Sequence, residues 1–230
     1  MFIDILLAND IPQEAATTMT SYAHVVLEAN EKFNLTRIVS EADMAESHFI
    51  DSLAPVKKGY IKAGDTVIDI GTGAGFPGVP IAIYEKKVCV TLMDSSEKKT
   101  AFVQDACRKL GIPIRVICAR AEDAARLPAH FECYDAVTAR AVARLNILLE
   151  LCGAFVSKGG YFLAFKGPDV FSEIKEAEVA AEKMGLSLRE TLRTDIPGKD
   201  YTIAVYQKIA SSPEGYPRRF AKIKSHPISR

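Results

Sequence analysis

The sequence predicts an α/β chain: a Rossmann-like, seven-stranded, mostly parallel sheet with an antiparallel last strand, preceded by a helical extension. Three observations carry this reading. Seven short apolar runs recur from residue 66 onward, most of them separated by helix-length stretches. The first run, Val67-Ile68-Asp69-Ile70, breaks into Gly71-Thr72-Gly73-Ala74-Gly75-Phe76-Pro77-Gly78, four glycines within eight positions, before an apolar helix-like stretch resumes. The first sixty residues lack that alternation and show helical spacing instead. A strand, a glycine turn and a helix start in succession make a nucleotide cradle, because glycine lets the backbone approach a ligand where any Cβ would block it.

Taken in order, Met19, Tyr22, Val26, Ala29 and Phe33 recur at intervals of three and four, one face of an amphipathic helix over 13–33. Asn34-Leu35-Thr36 reads as its exit, and a second helix is predicted from Ser40, as N-cap, to Leu53. Gly59 and Gly64 mark the join to the sheet. Strands are predicted at Thr66–Ile70, Val88–Met93, Ile114–Cys118, Asp135–Thr138, Tyr161–Phe165, Leu186–Leu192 and Thr202–Gln207, with helices between them such as 96–110 and 141–157. Helix-sized separations imply βαβ crossovers and a parallel sheet. The last two strands have no helix between them, which predicts an antiparallel pairing at the end. Seven strands with that ending is the pattern of the class I methyltransferase sheet. The boundaries read as a helical extension at 1–62, a sheet domain at 63–209 and a basic tail at 210–230.

The chain has 230 residues, 48% apolar and 25% charged, enough for one full domain and an extension. The sequence has no run of eighteen apolar residues, and its start, Met1–Asn9, is short and lacks a basic n-region, so neither a membrane span nor a secretory leader is expected. Five scattered cysteines without a C-x-x-C pair fit reduced thiols of a cytoplasmic protein rather than a disulfide frame or a zinc site; no metal is expected. Cys89 and Cys118, in apolar strand-like runs, are expected in the core. The formal net charge is zero, so bulk charge does not announce nucleic acid. The stretch from Tyr216 to Arg230, however, carries Arg218, Arg219, Lys222, Lys224 and Arg230 without an acidic residue, which reads either as a solvated, frayed terminus or as a local phosphate contact. One sheet domain with a helical cap predicts a monomer.

Two cofactors compete for the glycine loop. Gly73-x-Gly75-x-x-Gly78 matches the dinucleotide spacing for NAD; Gly71-x-Gly73-x-Gly75 preceded by Asp69 matches the looser loop for S-adenosylmethionine (SAM). SAM has no phosphate, so it needs no pyrophosphate cradle, and Asp69 can serve its amino acid end directly or through water. Asp94, closing the second strand, can accept from both ribose hydroxyls under either reading, or alternatively cap the helix beginning near Ser96. After the third strand, Glu122 can accept from the adenine amino group while the backbone of Ala121 reads the ring edge; an ordinary helix cap is the alternative. Thr138-Ala139-Arg140-Ala141 follows the fourth strand, where methyl acceptors sit. All four segments fall at strand carboxyl ends, where open α/β sheets bind ligands, and together they favour SAM over NAD.

The loop Asp69 to Pro80, with Asn34-Leu35-Thr36, His48-Phe49-Ile50-Asp51-Ser52-Leu53, Asp94-Ser95, Lys98-Lys99, Arg140-Ala141, Lys166-Gly167 and Tyr216-Pro217-Arg218-Arg219, resembles the RsmG (GidB) family over nearly the whole chain. The extended G-x-G-x-G-F-P-G loop and the H-F-x-D-S-L segment are specific together. The resemblance implies SAM-dependent methylation of guanine N7 in 16S ribosomal RNA, at the conventional position 527, with free rRNA or the small ribosomal subunit as partner. It implies cofactor contacts at Asp69, Gly71, Gly73, Gly75, Phe76, Asp94, Ser95, Ala121 and Glu122, and places Arg140 near the reacting end as catalytic residue. The tail is poorer in glycine and proline than the family pattern.

The chemistry agrees with that implication. Guanine N7 is a lone-pair nucleophile and needs no prior proton removal, so orientation does the work, at best roughly 7–11 kcal/mol. Neither N-P-P-Y nor D-P-P-Y follows the fourth strand and no Pro-Cys nucleophile occurs, which argues against exocyclic amines and pyrimidine C5 as targets. Arg140 can hold the cofactor carboxylate, a phosphate or guanine O6, or form a structural salt bridge; a donor aimed at N7 would oppose the positive charge that develops there. Lys98, Lys99, Lys166, Arg218 and Arg219 are candidates for RNA backbone contact, each with a solvated surface charge as its alternative. His48 can stack on a base or be a half-buried structural residue. Because side chains cannot read the N7 edge inside an RNA stem, the target guanine must be unpaired or flipped out. A small-molecule methyltransferase and an RNA-binding module holding SAM structurally remain as alternatives.

Overall fold

The computed structural model describes residues 2–33, 35–36, 38, 40–194, 196 and 198–229. Seven strands, β1 (Thr66–Ile70), β2 (Cys89–Asp94), β3 (Arg115–Cys118), β4 (Tyr134–Arg140), β5 (Val156–Lys166), β6 (Leu186–Arg193) and β7 (Thr202–Lys208), form one sheet in the order β3-β2-β1-β4-β5-β7-β6. The pairs from β3 to β5 are parallel, and β7 runs antiparallel to both β5 and β6. This is the class I methyltransferase sheet. The strand order reverses between β1 and β4, and a ligand of such a sheet binds outside the strand carboxyl ends at that switch point.

Each predicted strand is present. β5 starts earlier than expected, because Ser157-Lys158-Gly159-Gly160 reads as a turn although it continues the strand. A Cβ on Gly160 would lie 2.6 Å from the Asp135 carbonyl oxygen, so glycine there permits the close approach beside the β4–β5 bulge. The helix predicted over 141–157 is shorter: α8 spans Leu145–Gly153, and Ala141 takes a φ of 56° in the loop before it. Cys89 and Cys118 are exposed, contrary to expectation. β3 is an edge strand, so Cys118 meets solvent; Cys89 opens β2 at the sheet's end.

The extension begins with α1 (Phe2–Ala8) and α2 (Gln13–Phe33). Met19, Tyr22 and Val26 of the predicted stripe are fully buried and Ala29 is half-buried; Asn34 and the side chain of Phe33 lie outside the described residues. Ser40 caps α3 (Glu41–Met44) as expected, accepting from the Asp43 amide at 3.1 Å. The helix then widens into a π-helical segment, Ala45–Ile50, and resumes as α4 (Asp51–Lys57). Single π turns within helices are frequent at functional sites because the extra residue displaces a side chain out of the regular stripe.

These helices do not form a core of their own. Phe2, Met19, Tyr22, Phe49 and Leu53 share one apolar cluster with Val67, Leu92 and Val205 of the sheet, while α8 and α9 (Val170–Lys183) cover the opposite face. The extension is therefore welded to the glycine loop. Phe76 of that loop meets Phe49 edge-on at 5.1 Å and Tyr22 at 6.0 Å, and the Tyr22 hydroxyl donates to the Ala74 carbonyl at 2.9 Å. Tyr22→Phe leaves that buried carbonyl without its donor and is expected to lower the unfolding free energy by about 1–3 kcal/mol, measured by urea denaturation; a change near zero would mean that the hydroxyl does not hold the loop.

Candidate active site

The glycine loop stands on Asp69. Its carboxylate is fully buried at the end of β1, accepting from the Gly78 amide at 3.1 Å and from the Thr138 hydroxyl of β4 at 2.8 Å. Burial raises its pKa, and these hydrogen bonds oppose the rise. Asp69 lines neither cavity described below; its observed partners prop the loop from beneath, which leaves the route through water, rather than direct contact, as its way to a ligand. The same contact bears on the choice of nucleotide. Gly78 opens α5 (Gly78–Tyr84), and its amide is one of the helix-start donors that a dinucleotide pyrophosphate would use. A carboxylate already occupies it and would repel a phosphate.

Gly75 and Phe76 also turn inward. A Cβ on Gly75, at φ 91°, would lie 2.4 Å from the Tyr22 hydroxyl oxygen, so that glycine serves the packing of α2 rather than a ligand. The Phe76 ring is 5% exposed among aromatic neighbours and is absent from the cavity walls. Gly71 and Gly73 remain at the ligand side. Gly71 lines a cavity, and Gly73 donates its amide to Asp94 at 3.1 Å.

Two cavities open at the carboxyl ends of the strands, about 290 and 380 Å³, each near the small-ligand range of roughly 300–1,000 Å³. The first brings together Gly71, Asp94, Ser95, Ala121 and Glu122 as predicted. Asp94 accepts from the amides of Gly73 and Ser96, at 3.1 and 2.9 Å. It thus performs the turn role as well, yet a carboxylate has about four lone-pair sites, which leaves capacity for a diol. Ile70, Met93, Leu151 and Phe220 give this cavity apolar faces, and Lys99 stands at its rim. Acceptors at the edge and apolar walls behind suit a nucleoside.

The second cavity is lined by Ser47, His48, Asp51, Arg140, Lys166 and Tyr201 among others, and Ala141 lines both cavities. The loop leading from β4 into α8 therefore divides them. Here the π-helical segment meets the sheet. Arg140 donates to the Ser47 carbonyl at 2.9 Å and to His48 Nδ1 at 3.0 Å, and lies 3.4 Å from Asp51. Arginine has no acceptor, so His48 Nδ1 must accept and Nε2 carries the proton, donated to the Thr36 hydroxyl at 2.9 Å. The His48 ring stacks on Phe76 at 4.5 Å, which is the structural role rather than a free stacking platform. Burial and the Arg140 charge hold His48 down to a pKa of about 3. Burial raises the Asp51 pKa against the pull of Arg140, and lowers that of Arg140 against the pull of Asp51 and Asp69.

The basic candidates separate. Lys98 and Arg219 are exposed. Lys166 donates to Glu173 at 2.7 Å and to the Ala143 carbonyl at 2.8 Å, with its side chain 9% exposed, and Arg218 grips the fully buried Glu150 through its amide, Nε and Nη2 at 2.9, 2.8 and 2.6 Å. Both are internal ties, which corrects their reading as free phosphate ligands. The tail is likewise not frayed: it folds back as α10 (Phe220–Ser225) with Ile223 fully buried. Ser47, Asp51, Tyr201 and Phe220 also line the cavities; of these, Asp51 lies in the H-F-x-D-S-L segment and Phe220 in the basic tail, and no motif marks Ser47 or Tyr201. Among the described residues no group of three or more His, Cys, Asp or Glu could hold a metal, and no helix is long and apolar enough to cross a membrane.

A class I methyltransferase sheet carrying a nucleoside-shaped cavity at its switch point defines the class of protein. Within it, the chain belongs to the rRNA small subunit methyltransferase G (GidB) family, whose model matches residues 15–195. It is 40% identical over 223 residues to the ribosomal RNA small subunit methyltransferase G of Alkaliphilus oremlandii, covering 95% of this chain and 93% of that one. Among solved structures, the fold is similar to the fibrillarin pre-rRNA processing protein of Methanococcus jannaschii (TM-score 0.52, 18% identity, 65% of this chain and 69% of that chain) and to M. jannaschii TYW2 in complex with AdoMet (TM-score 0.52, 17% identity, 69% and 77%).

His48 yields a test. The unfolded chain protonates this imidazole near pH 6.5 while the folded chain refuses the proton until about pH 3. Its contribution is therefore present above pH 6.5 and is lost as pH falls toward 3, by up to about 1.4 kcal/mol per pH unit. Urea unfolding between pH 7 and 4 is expected to show a steeper loss in wild type than in His48→Asn. Parallel pH profiles would contradict the neutral tautomer.

Proposed function

We propose that this chain transfers a methyl group from SAM to N7 of a guanine in 16S ribosomal RNA, the base at conventional position 527. The observation that carries the reading is the cavity where Asp94 and Glu122 stand with Gly71, Ser95 and Ala121 at the sheet's switch point, in a chain of the methyltransferase G family. When bound there, SAM supplies an electrophilic methyl group on a sulfonium. The chain's residues hold and orient. Asp94 has spare lone pairs for the ribose hydroxyls and Glu122 an acceptor for the adenine amine. Three of the five Arg140 N–H donors are spent on Ser47, His48 and Asp51; the rest can hold the cofactor carboxylate, an RNA phosphate or guanine O6. No general base is required, and the neutral His48, locked between Arg140 and Thr36, is not placed to be one.

The second cavity suits the flipped guanine: it adjoins the first at Ala141 and has Tyr201 and Phe165 beside polar Ser47 and Asp51. RNA phosphates fall to Lys98, Lys99 and Arg219. The whole chain, extension, sheet and tail, acts in the cytoplasm as a monomer on rRNA or the small subunit.

Nuclease digestion of small-subunit rRNA from cells lacking this protein tests the substrate: N7-methylguanosine is expected to vanish from the fragment containing that guanine and to return on complementation. Its persistence would refute the assignment. The cofactor assignment is tested separately. Asp94→Ala removes charge-assisted hydrogen bonds worth about 1.5–3 kcal/mol, so calorimetry is expected to show roughly 10- to 150-fold weaker SAM binding; unchanged affinity would place the ribose elsewhere.

A further inference from the structure

The tail that charge alone marks as a phosphate arm is built into the nucleoside cavity instead. Beyond β7 the chain is pinned at several points. Ser212 donates its amide to Glu132 at 2.7 Å, Arg126 donates to the Pro217 carbonyl at 2.9 Å, and Arg218 closes on both oxygens of Glu150. Glu150 is fully buried in α8, so this ion pair has little solvent to compete with it, and a carboxylate left there without Arg218 would be costly. Arg218 also donates to the His226 carbonyl at 3.1 Å, bracing α10 from its far end, and Ile223 seats the helix in the core under α8.

The consequence is the position of Phe220. It begins α10 two residues after the pinned Arg218, is half-buried, and lines the same cavity as Met93, Ala121, Glu122 and Leu151. Leu151 follows Glu150 in α8, so the residue that anchors the tail and the residue that shares the wall with Phe220 are neighbours in sequence. The polar groups of this cavity, Asp94 and Glu122, can satisfy the edges of a nucleoside but not the faces of its base. Those need apolar surface, and an aromatic ring is the side chain that best matches a planar heterocycle.

We propose that Phe220 is a cofactor-binding residue, its ring forming a face for the adenine, and that residues 216–226 are a fixed wall of the nucleoside site held shut by the Arg218–Glu150 pair. The inference rests on the proposed use of SAM and deepens it. It also gives the two cationic neighbours different tasks: Arg218 faces inward to hold the wall, while exposed Arg219 is free to meet RNA.

The chain contains no tryptophan, so Phe220→Trp introduces a single tryptophan, excited selectively at the red edge where tyrosine does not absorb, at the position in question. Titration of that variant with S-adenosylhomocysteine is expected to quench or shift its emission, with affinity kept within about threefold of wild type because a larger ring still stacks. Calorimetry of Phe220→Ala with S-adenosylhomocysteine and with adenosine is expected to show about tenfold or greater weakening for both, since base–aromatic stacking is worth about 1–3 kcal/mol. Thermal melting of each variant checks that the fold is intact, and the tryptophan variant decides the matter if the alanine variant does not fold. An emission spectrum unchanged at saturating ligand, or Phe220→Ala binding as wild type does, overturns the proposal while leaving SAM binding in place. A wild-type chain that binds no S-adenosylhomocysteine overturns both.

Discussion

The site depends on one buried carboxylate. Asp69 ends β1 where the strand order reverses, and without it the glycine loop has no support from below. A carboxylate in an apolar interior is costly to keep, and burial does raise its pKa. It is held by donors from two directions: the amide that starts α5 and the hydroxyl of Thr138 on β4. Those bonds tie β1, β4 and α5 at one point. The loop between β1 and α5 must then arch over Asp69, which presents Gly71 to the cavity, sets the Gly73 amide on Asp94 and turns Gly75 and Phe76 toward the extension. A single residue thus sets which glycines face a ligand and which face the core, and its negative charge disfavours a phosphate at the helix start.

From that point the contacts run outward without a break. Phe76 carries the loop into the aromatic cluster of Tyr22, Phe49 and His48. His48 passes to Arg140 at the end of β4, and Arg140 reaches back to Ser47 and Asp51. Residues 47, 48 and 51 share one face of the helix, since positions three and four apart are neighbours on its surface, so a backbone carbonyl and two side chains converge on one guanidinium. The extension is accordingly a wall of the second cavity, and its helices and the sheet share a core because the same residues do both jobs.

Much of this architecture was legible in the chain, for identifiable reasons. The strands announce themselves through apolar runs, and the antiparallel ending follows from the missing helix between β6 and β7. Asp94, Ala121 and Glu122 could be placed because strand carboxyl ends are readable from spacing alone. What stayed hidden depends on long-range pairing. Nothing local to Arg218 points to Glu150, 68 residues earlier, and Lys166 looks free until Glu173 turns back from α9. Motif spacing shows that a glycine loop exists but not which of its residues face inward, so it cannot separate Gly71, on the cavity wall, from Gly75 and Phe76, packed against the extension.

The two cavities divide the chemistry in a way that suits a reaction without a base. On the nucleoside side the walls are fixed by ion pairs and core packing, since recognition of a cofactor gains from surfaces already in place. On the acceptor side the charged groups neutralise one another: Asp51 faces Arg140, and Lys166 faces Glu173. A lone-pair nucleophile that turns cationic on methylation is opposed by any uncompensated positive charge beside it. Pairing each cation with a carboxylate keeps oriented donors available for phosphate or carbonyl oxygens while removing the field that would resist charge development at the reacting nitrogen. Of the basic candidates, Lys98 and Arg219 are exposed and lie outside the second cavity's lining, so their charge is kept apart from it.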